Sequence, residues 1–385
     1  MKRLSQSPTE PGFVQDPYPF YARARAAGPL VWWDDYGMPV ATTHAAVNTL
    51  LRDRRFGREP IAPPPIPAHL APFYAVEAHS MLELEPPRHT RLRRLVVHAF
   101  TSRRISRLGP GITALCDALI DRFPKGAAFD LLEAFARPLP VTVIARLLGV
   151  PEEMGQQLLA WSNAMVRMYM AGRTRADEDA AATAAADFTG YLRSLVESRR
   201  QQPGEDLISH LIRAEEDGDR LTTDEMISTC ILLLNAGHEA TVHTIGNGVK
   251  AMLETGRGGG AEPEALVQEI LRFDPPLHLF TRTAYEDVAL YGHHFARGDT
   301  VGLLLGSVGR DGVDFDTFAP GRDNAAHLAF GAGLHFCVGA PLARLELQIA
   351  LPRLMARCSE LRLAAPPSYA DIYHFHGLER LLVTQ

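Results

Sequence analysis

Cys337 stands in the string Phe330-Gly331-Ala332-Gly333-Leu334-His335-Phe336-Cys337-Val338-Gly339, and a helix opens directly after it at Ala340-Pro341. A thiolate placed there has backbone amides able to turn toward the sulfur and a helix N-terminus behind it, both of which stabilise negative charge. The glycines let the backbone turn tightly, and Pro341 suits a first helical turn. The plainer fate of an intracellular cysteine is an inert buried thiol, and that reading is kept for Cys116, Cys230 and Cys358. His89 and Arg93 are four apart in Glu85-Pro86-Pro87-Arg88-His89-Thr90-Arg91-Leu92-Arg93, so on a helix they share a face and can grip one carboxylate together, although a solvated basic face would look the same. Glu269 and Arg272 are three apart, an ion-pair spacing that by itself is common on exposed helices. In Asn235-Ala236-Gly237-His238-Glu239-Ala240-Thr241, small and polar residues interrupt an apolar helical stretch. Glycine there costs about 1 kcal/mol against alanine, so something needs close approach at that point. His238 and His243 are five apart, about 140° round a helix, which excludes the HExxH zinc arrangement. Gly331-Ala332-Gly333 lacks the third glycine of a dinucleotide fingerprint, and no GxxxxGK[ST] is present.

Taken in chain order, these motifs resemble the cytochrome P450 family. The string Phe330–Gly339 resembles its haem-ligand loop, Glu269-Ile270-Leu271-Arg272 its ExxR helix, and Glu85–Arg93 its propionate-binding helix. Phe273-Asp274-Pro275-Pro276 and then Arg282 match the approach to the family's propionate arginine. The resemblance runs from about Asp16 to the C-terminus. It departs in three places: Ala240 stands where the family usually has threonine, with Thr241 one position later; the stretch at Gly256–Gly260 is short; and the loop from Gly309-Arg310-Asp311 to Arg322 is trimmed.

The resemblance implies a haem-thiolate monooxygenase of the soluble bacterial type, inserting one oxygen atom of O2 into a small organic substrate. Cys337 would be the axial iron ligand, the arrangement that in this family favours O–O cleavage. His89, Arg93, Arg282 and His335 would hold the propionates of haem b, with Phe330 and Gly331 shaping the loop beneath it. Glu239 and Thr241 would organise water for proton delivery beside the gap left by Ala240, and Glu269 with Arg272 would form a buried structural pair near the ligand loop. Asn235, Leu279, Phe280 and Phe375 would line the substrate pocket. Electrons from NAD(P)H would come through a separate ferredoxin and ferredoxin reductase, since no flavin or iron–sulfur segment precedes Gln385. Arg91, Arg94, Arg103, Arg104 and Arg107 form a basic cluster that could dock an acidic carrier or merely solvate a surface. The competing readings are a haem-thiolate sensor or carrier without turnover, and a P450 catalysing C–C or C–O coupling.

The elements that must position these residues read as mainly α. Apolar residues recur at helical spacing over 111–123, 131–149, 152–170, 183–200, 222–254 and 341–357. Thr222 and Glu225 offer a capping box, with a staple between Leu221 and Met226. The helix that follows, at 1.5 Å per residue, would run for roughly 45 Å and cross the molecule. Short strands are expected at Met38–Thr43, Val288–Tyr291, Thr300–Leu305, Leu361–Ala364 and Leu381–Thr384. No repeat and no linker appears, so one domain over residues 1–385 is expected, with 1–15 as a loose tail. The charge balance of 39 − 45 = −6 argues against nucleic acid. The opening residues have no apolar run of a signal peptide or anchor, and the scattered cysteines fit a reducing cytoplasm and exclude CxxC metal or redox motifs. A monomer without membrane contact is expected.

Overall fold

The computed structural model describes residues 1–63, 65–170, 172–216, 219–323 and 326–385, with the backbone alone for Ala99, Ser102, Arg103, Glu215 and Glu216. The protein is mainly α-helical with small β-sheets. It divides into two compact units, one of Met1–Ile61, Gly109–Arg137 and Ala240–Gln385, the other of Ala62–Leu108 and Pro138–Glu239.

The first unit is built on a six-stranded mixed sheet in the order Lys2–Leu4, Leu30–Trp33, Met38–Ala41, Thr300–Leu304, Leu279–Ala284, Phe56–Gly57. Side chains alternate across it as the pleat requires. Val31, Trp33, Val40 and Leu279 pack with Phe13, Phe20 and Tyr21, while Ala41, Val301, Leu303 and Ala284 pack with Val47, Leu50, Phe56 and Phe295. Gly302 pairs with Val40, and a Cβ there would stand 2.7 Å from Val40 Cγ1. The first fifteen residues are not the loose tail expected of them. Lys2–Leu4 pairs parallel to Leu30–Trp33, and Phe13 on the short helix Pro11–Gln15 meets four aromatic rings. Its apolar surface is what ties the segment down.

Three further helices of this unit matter for the site. Pro263–Phe273, the ExxR helix, is capped by the Glu262 carboxylate on the amides of Glu264 and Ala265 and stops at Asp274, ahead of Pro275-Pro276. Ala340–Arg357, the ligand helix, follows Cys337 with Pro341 in its first turn. Its Arg353 and Arg357 pair with Asp117 and Asp121 at the end of Gly109–Ile120.

In the second unit, Gly155–Val166 and Arg175–Gln201 are joined by Trp161 stacking on Phe188 at 5.2 Å. The longer helix starts from a Thr174/Asp177 capping box, eight residues before the expected start at 183. The span 131–149 is not one helix: a π-helical turn over Leu132–Ala136, which belongs to the first unit, precedes Pro138–Leu148, because Pro138 and Pro140 cannot donate to the preceding turn. Residues 152–170 likewise carry short 3-10 turns at both ends of Gly155–Val166.

The long helix is Thr223–Thr255, and the two units divide within it, between Glu239 and Ala240. The Thr222/Glu225 box forms in both directions, at 2.9 and 3.2 Å, and Leu221 and Met226 are both buried. Among the described residues no helix is long and apolar enough to cross a membrane.

Candidate active site

Cys337 is half-buried, two residues past the short turn Gly333–His335 and just ahead of the ligand helix. Its amide donates to the Phe330 carbonyl at 2.9 Å, closing the loop on itself. Gly331 and Gly333 sit at φ +67° and +69°, where a side chain would be strained, and a Cβ on Gly333 would come within 2.5 Å of the Leu51 carbonyl. Phe330 is held from above by the Arg344 guanidinium, 4.5 Å from its ring centre. His327 ties the loop to the ExxR helix. Its Nδ1 accepts from the Ala329 amide at 3.2 Å, so Nε2 carries the proton that goes to Gln268 Oε1 at 2.7 Å. Burial lowers its pKa to about 4, with Arg344 and Arg272 adding to the effect, and that keeps the ring neutral.

Glu269 and Arg272 form a two-pronged pair, both bonds 2.7 Å and both side chains fully buried. Arg272 also donates to the carbonyls of Gly309, Phe315 and Thr317, at 2.6, 2.8 and 2.9 Å, while Glu269 accepts from the Ala319 amide at 2.6 Å. Arg322 stands 3.6 Å from the same carboxylate. The pair therefore grips the trimmed stretch upstream of the ligand loop by its backbone. Gly309 is obligatory there, because a Cβ would lie 1.9 Å from the Arg272 carbonyl.

Arg282 is buried on the strand Leu279–Ala284 and donates to the Thr281 carbonyl at 2.8 Å. Leu279 and Phe280 are adjacent on that strand and face opposite sides of the sheet. Leu279 packs into the aromatic core, and Phe280 lies beneath the Arg58 guanidinium. Of the two, Phe280 packs on the face opposite the aromatic core.

On the long helix, Glu239 and Ala240 are half-buried and Thr241 is buried. The Ala240 carbonyl accepts the Thr244 hydroxyl at 2.7 Å. The close approach foreseen at Gly237 is made by Ile144, whose Cδ1 would stand 2.9 Å from a Cβ there. His238 donates from Nδ1 to the Leu234 carbonyl at 2.9 Å. Asn235 Nδ2 reaches Met165 Sδ at 3.8 Å, and Oδ1 is buried without a hydrogen-bond partner among the described residues. Phe375 packs at 5.9 Å from His243, beside a Gly377 whose Cβ would overlap that imidazole.

The structure thus gathers Phe330, Gly331, His335 and Cys337 on one loop, with Arg282 in the same unit. His89, fully buried, and Arg93, half-buried, lie on Arg88–Ala99 of the other unit. The family model for cytochrome P450 matches residues 264–366. The chain is 41% identical over 377 residues to the cytochrome P450 monooxygenase PikC of Streptomyces venezuelae, covering 92% of this chain and 87% of that one. It is 37% identical to the vitamin D(3) 25-hydroxylase of Pseudonocardia autotrophica, over 97% and 94% of the two chains. The chain belongs to the cytochrome P450 family. A crystal structure of the P450 BioI, in complex with an acyl carrier protein ligated to hexadec-9Z-enoic acid, superposes on this P450 with a TM-score of 0.91, at 33% identity and over 97% and 99% of the chains. With its relatives named as monooxygenases and hydroxylases, the protein is an oxygenase, and the family's cofactor is haem.

The residues of this P450 fit that group. Burial pushes the Cys116 and Cys230 thiols up to about 12 and raises that of Cys358, so these three stay protonated. Cys337 is the thiol that is not buried, and it precedes an 18-residue helix whose N-terminus favours an anion. Reasoning from sequence missed His327 and Arg322. A histidine three residues before Phe330 gave a faint signal for the first, and nothing local marked the second.

Proposed function

We propose that this P450 inserts one atom of O2 into a compact, partly apolar organic molecule that carries a polar group. The observation that carries the reading is the half-buried Cys337 on its glycine-turned loop ahead of the ligand helix. Haem b held there by the Cys337 thiolate supplies O2 activation, which thiolate ligation favours. Arg282, His335, His89 and Arg93 are cationic or hydrogen-donating groups suited to its two propionates. Glu239 and Thr241 order water and relay protons on the long helix, while Ala240 offers no hydroxyl and leaves space for a water or a substrate hydroxyl. The buried Asn235 Oδ1, lacking a partner among the described residues, is an acceptor for a substrate O–H or N–H, since leaving it unmet costs free energy. Phe280 and Phe375 give the apolar walls.

Electrons come from a separate ferredoxin and its reductase. Of the arginines that could receive such a carrier, Arg91 also pairs with Asp219 and Glu225, and Arg94, Arg104 and Arg107 complete the basic cluster. The side chain of Arg103 lies outside the described residues. Glu239 favours an enzyme over a sensor, because sensing needs no proton relay. The reading extends to a single-domain monomer in the cytoplasm.

The test compares the parent with Cys337→Ser. The parent should give the ferrous–CO band of a thiolate-ligated haem, and with surrogate ferredoxin and reductase it should consume NAD(P)H when a compound that shifts its haem spectrum is added. The serine variant should lose the band, since a hydroxyl is not a soft anionic donor. A serine variant with the parental band would remove Cys337 from its role. A parent that binds such compounds yet never turns over would leave the sensor reading.

A further inference from the structure

Outside the residues assigned to haem, the first unit buries a second group of metal-ligating side chains. Asp274 ends the ExxR helix, His278 leads into the Arg282 strand, and His376 lies in the C-terminal segment; they are 5%, 0% and 4% exposed. One ring nitrogen of each histidine and one oxygen of the carboxylate all lie within 4.8 Å of one another. His376 Nε2 is 3.6 Å from Asp274 Oδ1, and the two imidazole rings face each other at 4.6 Å between centres.

The surroundings fix these groups in place. Tyr18 and Tyr369 donate to the two oxygens of Asp274 at 2.6 and 2.5 Å, and the Tyr369 ring stacks on His376 at 3.7 Å. Asn247 of the long helix donates to the carbonyls of Asp274 and His376, at 3.3 and 2.9 Å. Gly306 lies against the His278 ring, where a Cβ would fall 2.6 Å from Cγ.

Two things inside this group are left unmet. Among the described residues the only ion-pair partner of the Asp274 carboxylate is His376. Arg310 and Lys250 lie over the Tyr18 and Tyr369 rings that hold the carboxylate, at 3.3 and 5.4 Å, and neither pairs with it among the described residues. The second is His278 Nε2, which is buried without a hydrogen-bond partner among the described residues. Its other nitrogen, Nδ1, is 2.9 Å from the Tyr21 oxygen, which is 2.8 Å from that of Tyr373. Tyr21 can accept the Nδ1 proton and pass its own to Tyr373. Nε2 then presents a lone pair, with the opposite nitrogen anchored as ligand histidines usually are.

We propose that Asp274, His278 and His376 form a closed, structural site for one divalent transition ion, with zinc the ion that two imidazoles and a carboxylate suit. The ion would balance the carboxylate and occupy the open lone pair of His278. A phenol oxygen of Tyr18 or Tyr369, or a water, completes four-coordination. Bonds of about 2.0–2.1 Å require the donors to draw in by about 1 Å from their present separations. The bound ion joins the end of the ExxR helix, the entry to the Arg282 strand and the C-terminal segment.

The holoenzyme, stripped with chelator and dialysed against micromolar zinc, should retain about one zinc per chain by elemental analysis, counted apart from haem iron. His278→Asn and His376→Asn should each weaken zinc binding by about tenfold or more. Zinc should raise the melting temperature of the parent and not of either variant. Where a variant fails to fold, zinc-edge absorption on the parent decides, and should show imidazole and oxygen donors without sulfur. A zinc content well below one per chain would overturn the proposal. So would zinc retained undiminished in both variants, or sulfur in the parent's coordination shell.

Discussion

Glu346, on the helix that follows Cys337, is 2% exposed, and its Oε2 has no hydrogen-bond partner among the described residues. Burial alone pushes its pKa from 4.5 up to about 8. Below pH 4.5 folded and unfolded chains both hold the proton. Between that value and about 8 the unfolded chain has released it while the folded chain keeps it, so this residue's contribution to stability falls as pH rises through the window. Glu346→Gln keeps the shape and removes the titration. The variant should match the parent near pH 4.5 and gain on it by up to about 1.4 kcal/mol per pH unit toward pH 8. Urea denaturation of both proteins at three pH values measures this, and parallel curves would refute it. At this scale the sequence reveals chemistry only when it is contiguous. The Cys337 loop could be read because its turn residues, sulfur and helix start fall within a dozen positions. Asp274, His278 and His376 could not, because a hundred residues separate the first two from the third and only the fold unites them.

Arg272 shows what an element gains from a planar, forked donor. Its guanidinium closes on Glu269 and reaches three carbonyls of the 309–317 stretch, so the ExxR helix holds a segment with little regular structure of its own. Lysine carries the same charge but cannot spread its donors in that plane. Arg272→Lys should therefore leave carbonyls unmet and cost about 3–5 kcal/mol, as when a buried pair is broken. Thermal melting and haem content of the purified variant provide the check; a melting point within a degree or two of the parent's would be incompatible with it. The same contrast between local and distant causes explains which elements could be read. The capping box at Thr222 is set by four neighbouring residues and forms as expected. The strand Leu279–Ala284 was missed because Arg282 is charged yet buried, which spoils the alternation that marks a strand. The break near Pro138 was missed because apolar spacing continues through it.

The long helix belongs to both units, with Glu239 in one and Ala240 in the other. Parting the units at that point would interrupt 33 residues of continuous helix. It would leave four amides and four carbonyls without partners at the break. A helix also propagates far more easily than it nucleates, so an end frayed to the middle gains little from what remains. Both effects predict that the units unfold together, as the single-domain reading requires. The three tryptophans allow a direct test, since Trp32 and Trp33 lie in the first unit and Trp161 in the second. Trp161→Phe leaves fluorescence from the first unit alone, and the difference from the parent reports the second. Urea midpoints for the two signals and for the haem absorbance should coincide, as cooperative unfolding demands. If the Trp161 signal moved at clearly lower urea than the others, the second unit would be melting on its own up to Glu239, and the long helix would not be coupling the two.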